Sequence, residues 1–168
     1  MMSQPDRTLL LLRHAKSDYP DGVVDHERPL APRGIREAGL AGDWIRANFA
    51  RVDAVLCSSA TRTRQTLART GLDVNTRYED DLYDSTPSTV VRLIHGVGDE
   101  VETLLVVGHE PTTSALVLAL ADLSSDPELV EEVSSKYPTS AVAVLTTQVP
   151  WHRLGLGLAT LVDFHVPR

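Results

Sequence analysis

Three short apolar runs, at residues 8–12, 52–57 and 103–107, constrain the fold of this chain more than any other feature. The first and third carry no charge at all. A run of this length without alternating polar residues fits a strand covered on both faces, as in a parallel sheet whose neighbouring strands are joined by helices. The segments between the runs have helical period. Over residues 32–49, Ile35, Ala38, Gly42, Ile45 and Phe49 recur on one face, and Pro32 suits a first helical turn. Further helices are expected over residues 60–69, 87–95 and 112–120. Ser58 or Ser59 is available to cap the first of these, and Ser85 or Thr86 the second. Residues 74–77, 140–146 and 157–164 read as additional strands, residues 17–32 as loop, and the polar stretch 124–136 as a helical excursion. The alternation predicts an α/β three-layer sandwich with a mainly parallel central sheet flanked by helices. No linker is long enough to divide the chain, so residues 1–168 are expected to form a single domain.

Composition narrows the function. The apolar stretches are of strand length, far short of a membrane span, and residues 1–7 lack the apolar core of a secretory signal. The single cysteine, Cys57, cannot form an internal disulfide, which fits a reducing, cytoplasmic location. Its position inside an apolar run reads as a buried small hydrophobe ahead of a nucleophile. The formal net charge of −7 argues against nucleic acid as partner. A phosphorylated ligand therefore requires a site that concentrates positive charge locally.

The three apolar runs lead into such residues. The first ends in Arg13 and His14, the second leads to Arg62, and the third ends in His109. In open α/β sheets ligands collect beyond the carboxyl ends of the strands, so residues far apart in sequence can meet there. Two guanidinium groups and two imidazoles suit a dianionic phosphoryl group, since arginine presents paired donors that match phosphate oxygens. His26, His95, His152 and His165 lack this placement and read as surface or structural residues. No metal-binding motif such as His-Glu-x-x-His is present, and neither metal nor cofactor is expected.

The same residues carry a likeness to a known family. Leu12-Arg13-His14-Ala15-Lys16-Ser17 resembles the signature of the histidine phosphatase superfamily, which includes the phosphoglycerate mutases. The usual form is Arg-His-Gly, and Ala15 departs from it. Ser58 to Thr66 is similar to the family's second, arginine motif, and Val107-Gly108-His109-Glu110-Pro111 to its second histidine motif. Asp25-His26-Glu27-Arg28-Pro29-Leu30 with Gly34, then Leu82-Tyr83 and Lys136-Tyr137-Pro138-Thr139, resemble the short branch typified by the SixA phosphohistidine phosphatases.

The resemblance implies a phosphoglycerate mutase-like sandwich and a hydrolase that works without metal. His14 would be the nucleophile, forming a phosphohistidine intermediate that water hydrolyses. Arg13, Arg62 and His109 would neutralise the phosphoryl oxygens, with Lys16 of the first motif also binding substrate. The substrate would be a phosphohistidine-bearing protein or a small phosphorylated metabolite. A mutase is less favoured, because room for insertions is lacking. A silent phosphate-binding module is the reading from another class, against which the intact quartet argues. Larger relatives use a carboxylic acid to protonate the leaving group. Asp18, Glu79, Asp81 and Glu110 are the candidates here, with Asp80 and Asp84 in the same acidic stretch, and each also reads as a solvated loop carboxylate. An absent acid would favour phosphoramidates over simple esters. The chain's length leaves little for a lid, and residues 124–136 are the one insertion large enough to shape an entrance.

Overall fold

The leucines at positions 9 to 12 alternate between two cores, and this alternation sets the architecture. In a computed structural model describing residues 6–168, the elements run β1 (Arg7–Arg13), α1 (Pro32–Asn48), β2 (Ala54–Ser58), α2 (Thr61–Thr70), β3 (Thr76–Glu79), α3 (Pro87–His95), β4 (Thr103–Gly108), α4 (Thr112–Leu120), α5 (Pro127–Ser135), β5 (Val142–Thr147) and β6 (Thr160–His165). One-turn 3-10 helices lie at Asp25–Glu27, Asp80–Leu82 and Trp151–Arg153. The absence of a signal sequence, expected over residues 1–7, falls mostly outside the described residues.

Leu9 and Leu11 face one core with Leu56, Leu104 and Val106, under Ile94 of α3, Leu116 and Leu120 of α4 and Val133 of α5. Leu10 and Leu12 face the other with Val55, Cys57, Leu105 and Val107, under Ala41 and Ile45 of α1 and Leu67 of α2. Burial on both faces is why the strands read as continuous apolar runs. The six-stranded sheet has the order β3-β2-β4-β1-β5-β6. Its first four members are parallel, β5 runs antiparallel to β1, and β6 runs antiparallel to β5 and so points the same way as the first four. The expected three-layer α/β sandwich is what the chain forms.

Register positions the site. Arg13 pairs with Gly108, and Cys57 pairs with Val107, so Ser58 is level with Gly108; Ser58 in turn pairs with Glu79. Arg13, Gly108, Ser58 and Glu79 thus form one row at the carboxyl ends of the four parallel strands. His14 and His109 follow that row by a single residue.

Several expectations are corrected. The buried face of α1 consists of Gly34, Glu37, Ala38, Ala41, Gly42 and Ile45, with Ile35 turned outward. Close backbone packing forces this rotation: a Cβ at Gly34 would overlap the Lys16 carbonyl, and one at Gly42 would overlap Thr70. Glu37 tolerates burial by pairing with Arg168 at 3.2 Å and Arg33 at 3.3 Å. Neither Ser58 nor Ser59 caps α2, which begins after Ala60 without a side-chain cap; Ser58 is used in the site instead. For α3, Thr86 is the cap, accepting from the Thr89 amide at 3.4 Å. Residues 124–136 hold the expected helical excursion. Their helix, α5, lies on the sheet with Val133 in the core. Cys57 is fully buried, and desolvation pushes its thiol up to about 12, consistent with a packing role. Among the described residues no helix is long and apolar enough to cross a membrane.

Candidate active site

His14 leaves β1 with its amide donating to the Gly108 carbonyl at 3.0 Å, which ties it to the end of β4. Its ring Nδ1 lies 2.7 Å from the Ala15 carbonyl oxygen. A carbonyl only accepts, so the proton sits on Nδ1 and the lone pair on Nε2. The ring is buried, and desolvation pushes its pKa down to about 3; His109, Arg13 and Arg62 add to the effect, while the bond to Ala15 opposes it. His14 is therefore a neutral imidazole at neutral pH, with Nε2 available. Ala15, where the family's usual form has glycine, buries its methyl completely against Leu30 and Ala38. Its amide donates to Thr66 Oγ1 at 2.9 Å, so the extra carbon is absorbed without loosening the turn.

Arg13, Arg62 and His109 surround this ring. Arg13 donates from Nη1 to the Tyr137 carbonyl at 2.8 Å. Arg62 donates from Nη1 to the Asp25 carbonyl at 2.7 Å and from Nη2 to Asp25 Oδ2 at 3.1 Å. Its terminal edge is thereby held by one residue, leaving the Nε edge for another acceptor. The His109 ring centroid is 5.3 Å from that of His14, and its Nε2 is 2.8 Å from Ser58 Oγ. Ser58 Oγ already accepts from the Ala60 amide, so its own proton is free to reach Nε2 and leave Nδ1 of His109 as the donor. Desolvation, followed by the Arg62 charge, pushes His109 down to about 4. Arg13 Nε, Arg62 Nε and His109 Nδ1 are buried without a hydrogen-bond partner among the described residues. Buried donors without acceptors are costly, and three of them around one imidazole suit the oxygens of a phosphoryl group.

A carboxylate completes the setting. Asp25 Oδ2 also accepts from the Tyr83 hydroxyl, and Oδ1 accepts from Arg28 Nε at 3.0 Å. The Tyr83 hydrogen bond, with those of Arg28 and Arg62, holds the Asp25 carboxyl well below the usual carboxylate range; desolvation, second only to the Tyr83 bond, opposes them. Tyr83 meets His109 and His26 edge-on, with centroids 5.6 Å and 4.7 Å away, and His26 Nε2 lies 3.1 Å from Ser59 Oγ. His26 is thus part of the wall of the site, contrary to the surface reading of its sequence context. Asp25, Ser58, Tyr83 and the Tyr137 carbonyl were not expected there either. For Ser58 the available signal was its place at the start of the arginine motif. For Asp25 and Tyr83 it was only their presence in the branch-like segments.

Of the remaining candidates, Glu110 is near enough to act on the charge of Arg13, and the others make their contacts outside the cluster. Lys16 has an exposed side chain that makes no hydrogen bond or ion pair among the described residues, while its carbonyl accepts from the Ala31 amide at 2.9 Å. Asp18 Oδ1 accepts from the Tyr19 amide at 2.9 Å. Glu79 pairs with Arg77 at 2.8 Å, and Asp81 lies 3.9 Å from Arg92. Glu110 uses both oxygens on Ser114, at 2.6 Å to its amide and 2.7 Å to its hydroxyl, and so caps α4. Asp80 and Asp84 are exposed.

Comparison with known proteins identifies relatives of the chain. The family model for the histidine phosphatase superfamily (branch 1) matches residues 9–85. An uncharacterised protein of Mycobacterium tuberculosis is 61% identical over 94% of this chain and the whole of its own length. The phosphohistidine phosphatase SixA of Escherichia coli K12 is 27% identical over 82% of this chain and 84% of its own. A solved structure from Nakamurella multipartitia, named for the phosphohistidine phosphatase SixA, superposes with a TM-score of 0.90 at 38% identity, covering 99% of both chains.

Proposed function

Because the chain belongs to the histidine phosphatase superfamily, we propose that it is a phosphohistidine phosphatase whose nucleophile is His14. In the first step His14 Nε2 attacks phosphorus and the P–N bond of the substrate breaks. The bonding pair stays on the departing imidazole nitrogen, and a proton taken from solvent on that ring lets it leave as a neutral base. In the second step water attacks the phosphohistidine on His14, releasing inorganic phosphate and returning the neutral ring. Arg13, Arg62 and His109 offset the charge on the equatorial oxygens throughout. These donors meet the electrostatic demand, so the reaction as written needs no metal ion.

The observation that carries the substrate class is the state of the carboxylates. Asp25, the one lying against Arg62, is held ionised by Tyr83, Arg28 and Arg62 and has no proton to give at neutral pH. The side chains of Asp18, Glu79 and Asp81 are engaged elsewhere, and Glu110, though near enough to act on the charge of Arg13, has both oxygens committed to Ser114. A site without a general acid favours a labile P–N bond over an alkyl phosphate ester. The named activity of the Escherichia coli relative supports the same class.

The test is rapid quench with a labelled phosphohistidine donor. Acid-labile, base-stable label on His14 is expected, together with a loss of turnover of ~10³-fold or more in His14→Ala, as for deletion of a covalent nucleophile. Turnover of sugar or nucleotide phosphates equal to that of phosphohistidine would instead favour a metabolite phosphomonoesterase. Binding of phosphate without turnover of any donor would favour the silent module.

A further inference from the structure

The segment that carries Asp25 also carries side chains that no described residue covers. Tyr19 is 71% exposed, Val24 63% and Val23 37%. Single exposed apolar residues are ordinary, but these three lie on one short, well-tied segment. Ser17 bridges to Leu30, and the Asp18 amide donates to the Pro29 carbonyl at 2.8 Å. Arg28 donates to Ser17 Oγ at 2.8 Å and to the Asp18 carbonyl at 3.1 Å, and its guanidinium sits 4.1 Å from the Tyr19 ring centroid. A surface held this way loses little conformational freedom when a partner covers it.

The segment borders the phosphoryl clamp. Val24 immediately precedes Asp25, which holds Arg62 by two hydrogen bonds, and Tyr19 is near enough to act on the charge of Arg13. It is also acidic. Asp18, Asp21, Asp25 and Glu27 are all exposed, against Arg28 and His26 as the bases in residues 17–31, with exposed Lys16 just before them. The valines and Tyr19 lie outside the clamp, so they add affinity only for a substrate that brings a surface of its own.

We propose that this rim is the docking surface for the protein that bears the phosphohistidine: a partner with an apolar contact patch ringed by basic side chains beside its modified histidine. The proposal rests on the phosphohistidine reading and adds to it how a protein substrate is selected. Apolar contacts at the centre supply the residence time, and the acidic surround supplies steering and register.

The experiment compares two substrates, free phosphohistidine and a histidine phosphotransfer domain phosphorylated with phosphoramidate. The enzymes are the unmodified protein, Val23→Ser/Val24→Ser and Asp21→Lys/Glu27→Lys. The expected result is a rise in KM of about tenfold for the phosphorylated domain in each variant, the typical cost of truncating or reversing an interface contact. Rates with free phosphohistidine should stay within about twofold, since neither variant touches the clamp. In the unmodified enzyme the KM for the domain should rise with salt, and this dependence should weaken in the lysine variant. Equal slowing of both substrates, or no effect on either, would overturn the docking role while leaving the phosphohistidine reading intact. So would an unmodified enzyme that hydrolyses free phosphohistidine but not the domain. Failure of the unmodified enzyme on both substrates would overturn the reading and the docking role together.

Discussion

Asp25 grips Arg62 twice, through its carbonyl at 2.7 Å and its carboxylate at 3.1 Å, and so fixes the guanidinium from its terminal edge. An exposed residue of a one-turn 3-10 helix thereby orients a buried arginine 37 positions away, in the first turn of α2.

Asp25→Ala should therefore weaken vanadate inhibition and lower kcat/KM by about tenfold, the effect of losing a charge-assisted hydrogen bond to a positioned donor. Asp25→Asn keeps the main-chain bond and one side-chain acceptor, and should fall between the variant and the unmodified enzyme. Tighter vanadate binding in Asp25→Ala would show that the carboxylate competes with the phosphoryl group for Arg62.

This grip also marks where sequence reading stops. The strands were legible because β1, β2 and β4 are buried on both faces and leave an uninterrupted apolar signature. Arg13, His14, Arg62 and His109 were legible because each follows one of those strands, and a parallel sheet gathers strand ends. Asp25, Tyr83 and His26 lie on turns whose closure depends on hydrogen bonds to residues 33 to 58 positions away, and no local period encodes such bonds. The rotation of α1 was hidden for a related reason. The position of Gly34 and Gly42 against neighbouring backbone outweighs the larger apolar surface of Ile35, and only the assembled chain contains that backbone.

The two histidines give a prediction about pH. Their folded pKa values are pushed down to about 3 for His14 and about 4 for His109. In the unfolded chain both titrate near ~6.5. Between those limits the unfolded state binds more protons, so this contribution to stability is complete above about pH 6.5 and declines as pH falls through the window. Imidazole nitrogen NMR of the free protein should find His14 neutral, protonated on Nδ1, down to about pH 5. The profile of kcat/KM, corrected for substrate ionisation, should lack an acid limb near pH 6.5. A His14 signal that titrates near its unperturbed value would mean that the ring is solvated and the pocket open to water.

Arg62→Lys tests the clamp. Lysine retains the charge but replaces a planar fork with a compact ammonium group, which cannot satisfy Asp25 and a phosphoryl oxygen along separate edges. Vanadate inhibition and turnover should both fall, turnover by ~10²-fold, in the range for removing a transition-state donor. Far-ultraviolet circular dichroism should stay unchanged. Inhibition equal to that of the unmodified enzyme would place the guanidinium outside the phosphoryl site.

The proposed reaction without a carboxylic acid donor leads to the last prediction. With aryl phosphates as probes, a departing nitrophenolate needs no proton, while a more basic phenolate does. General acid catalysis is typically worth ~10²–10⁴-fold, so without it rates should fall steeply as the leaving group becomes more basic. Asp18→Asn, Glu79→Gln and Asp81→Asn should leave the whole series unchanged, because those side chains hold the Tyr19 amide, Arg77 and Arg92. Glu110→Gln should lower stability by up to about 1 kcal/mol through the weakened cap of α4, without changing the slope. Tyr83→Phe is the informative variant. Removing the hydroxyl takes away the largest influence that keeps Asp25 ionised, so the carboxyl pKa should rise. If Asp25 then begins to act as an acid, the slope will flatten selectively at low pH. A flat dependence in the unmodified enzyme, with chemistry limiting the rate, would instead require a working acid in the site and would shift the substrate class toward ordinary phosphate esters.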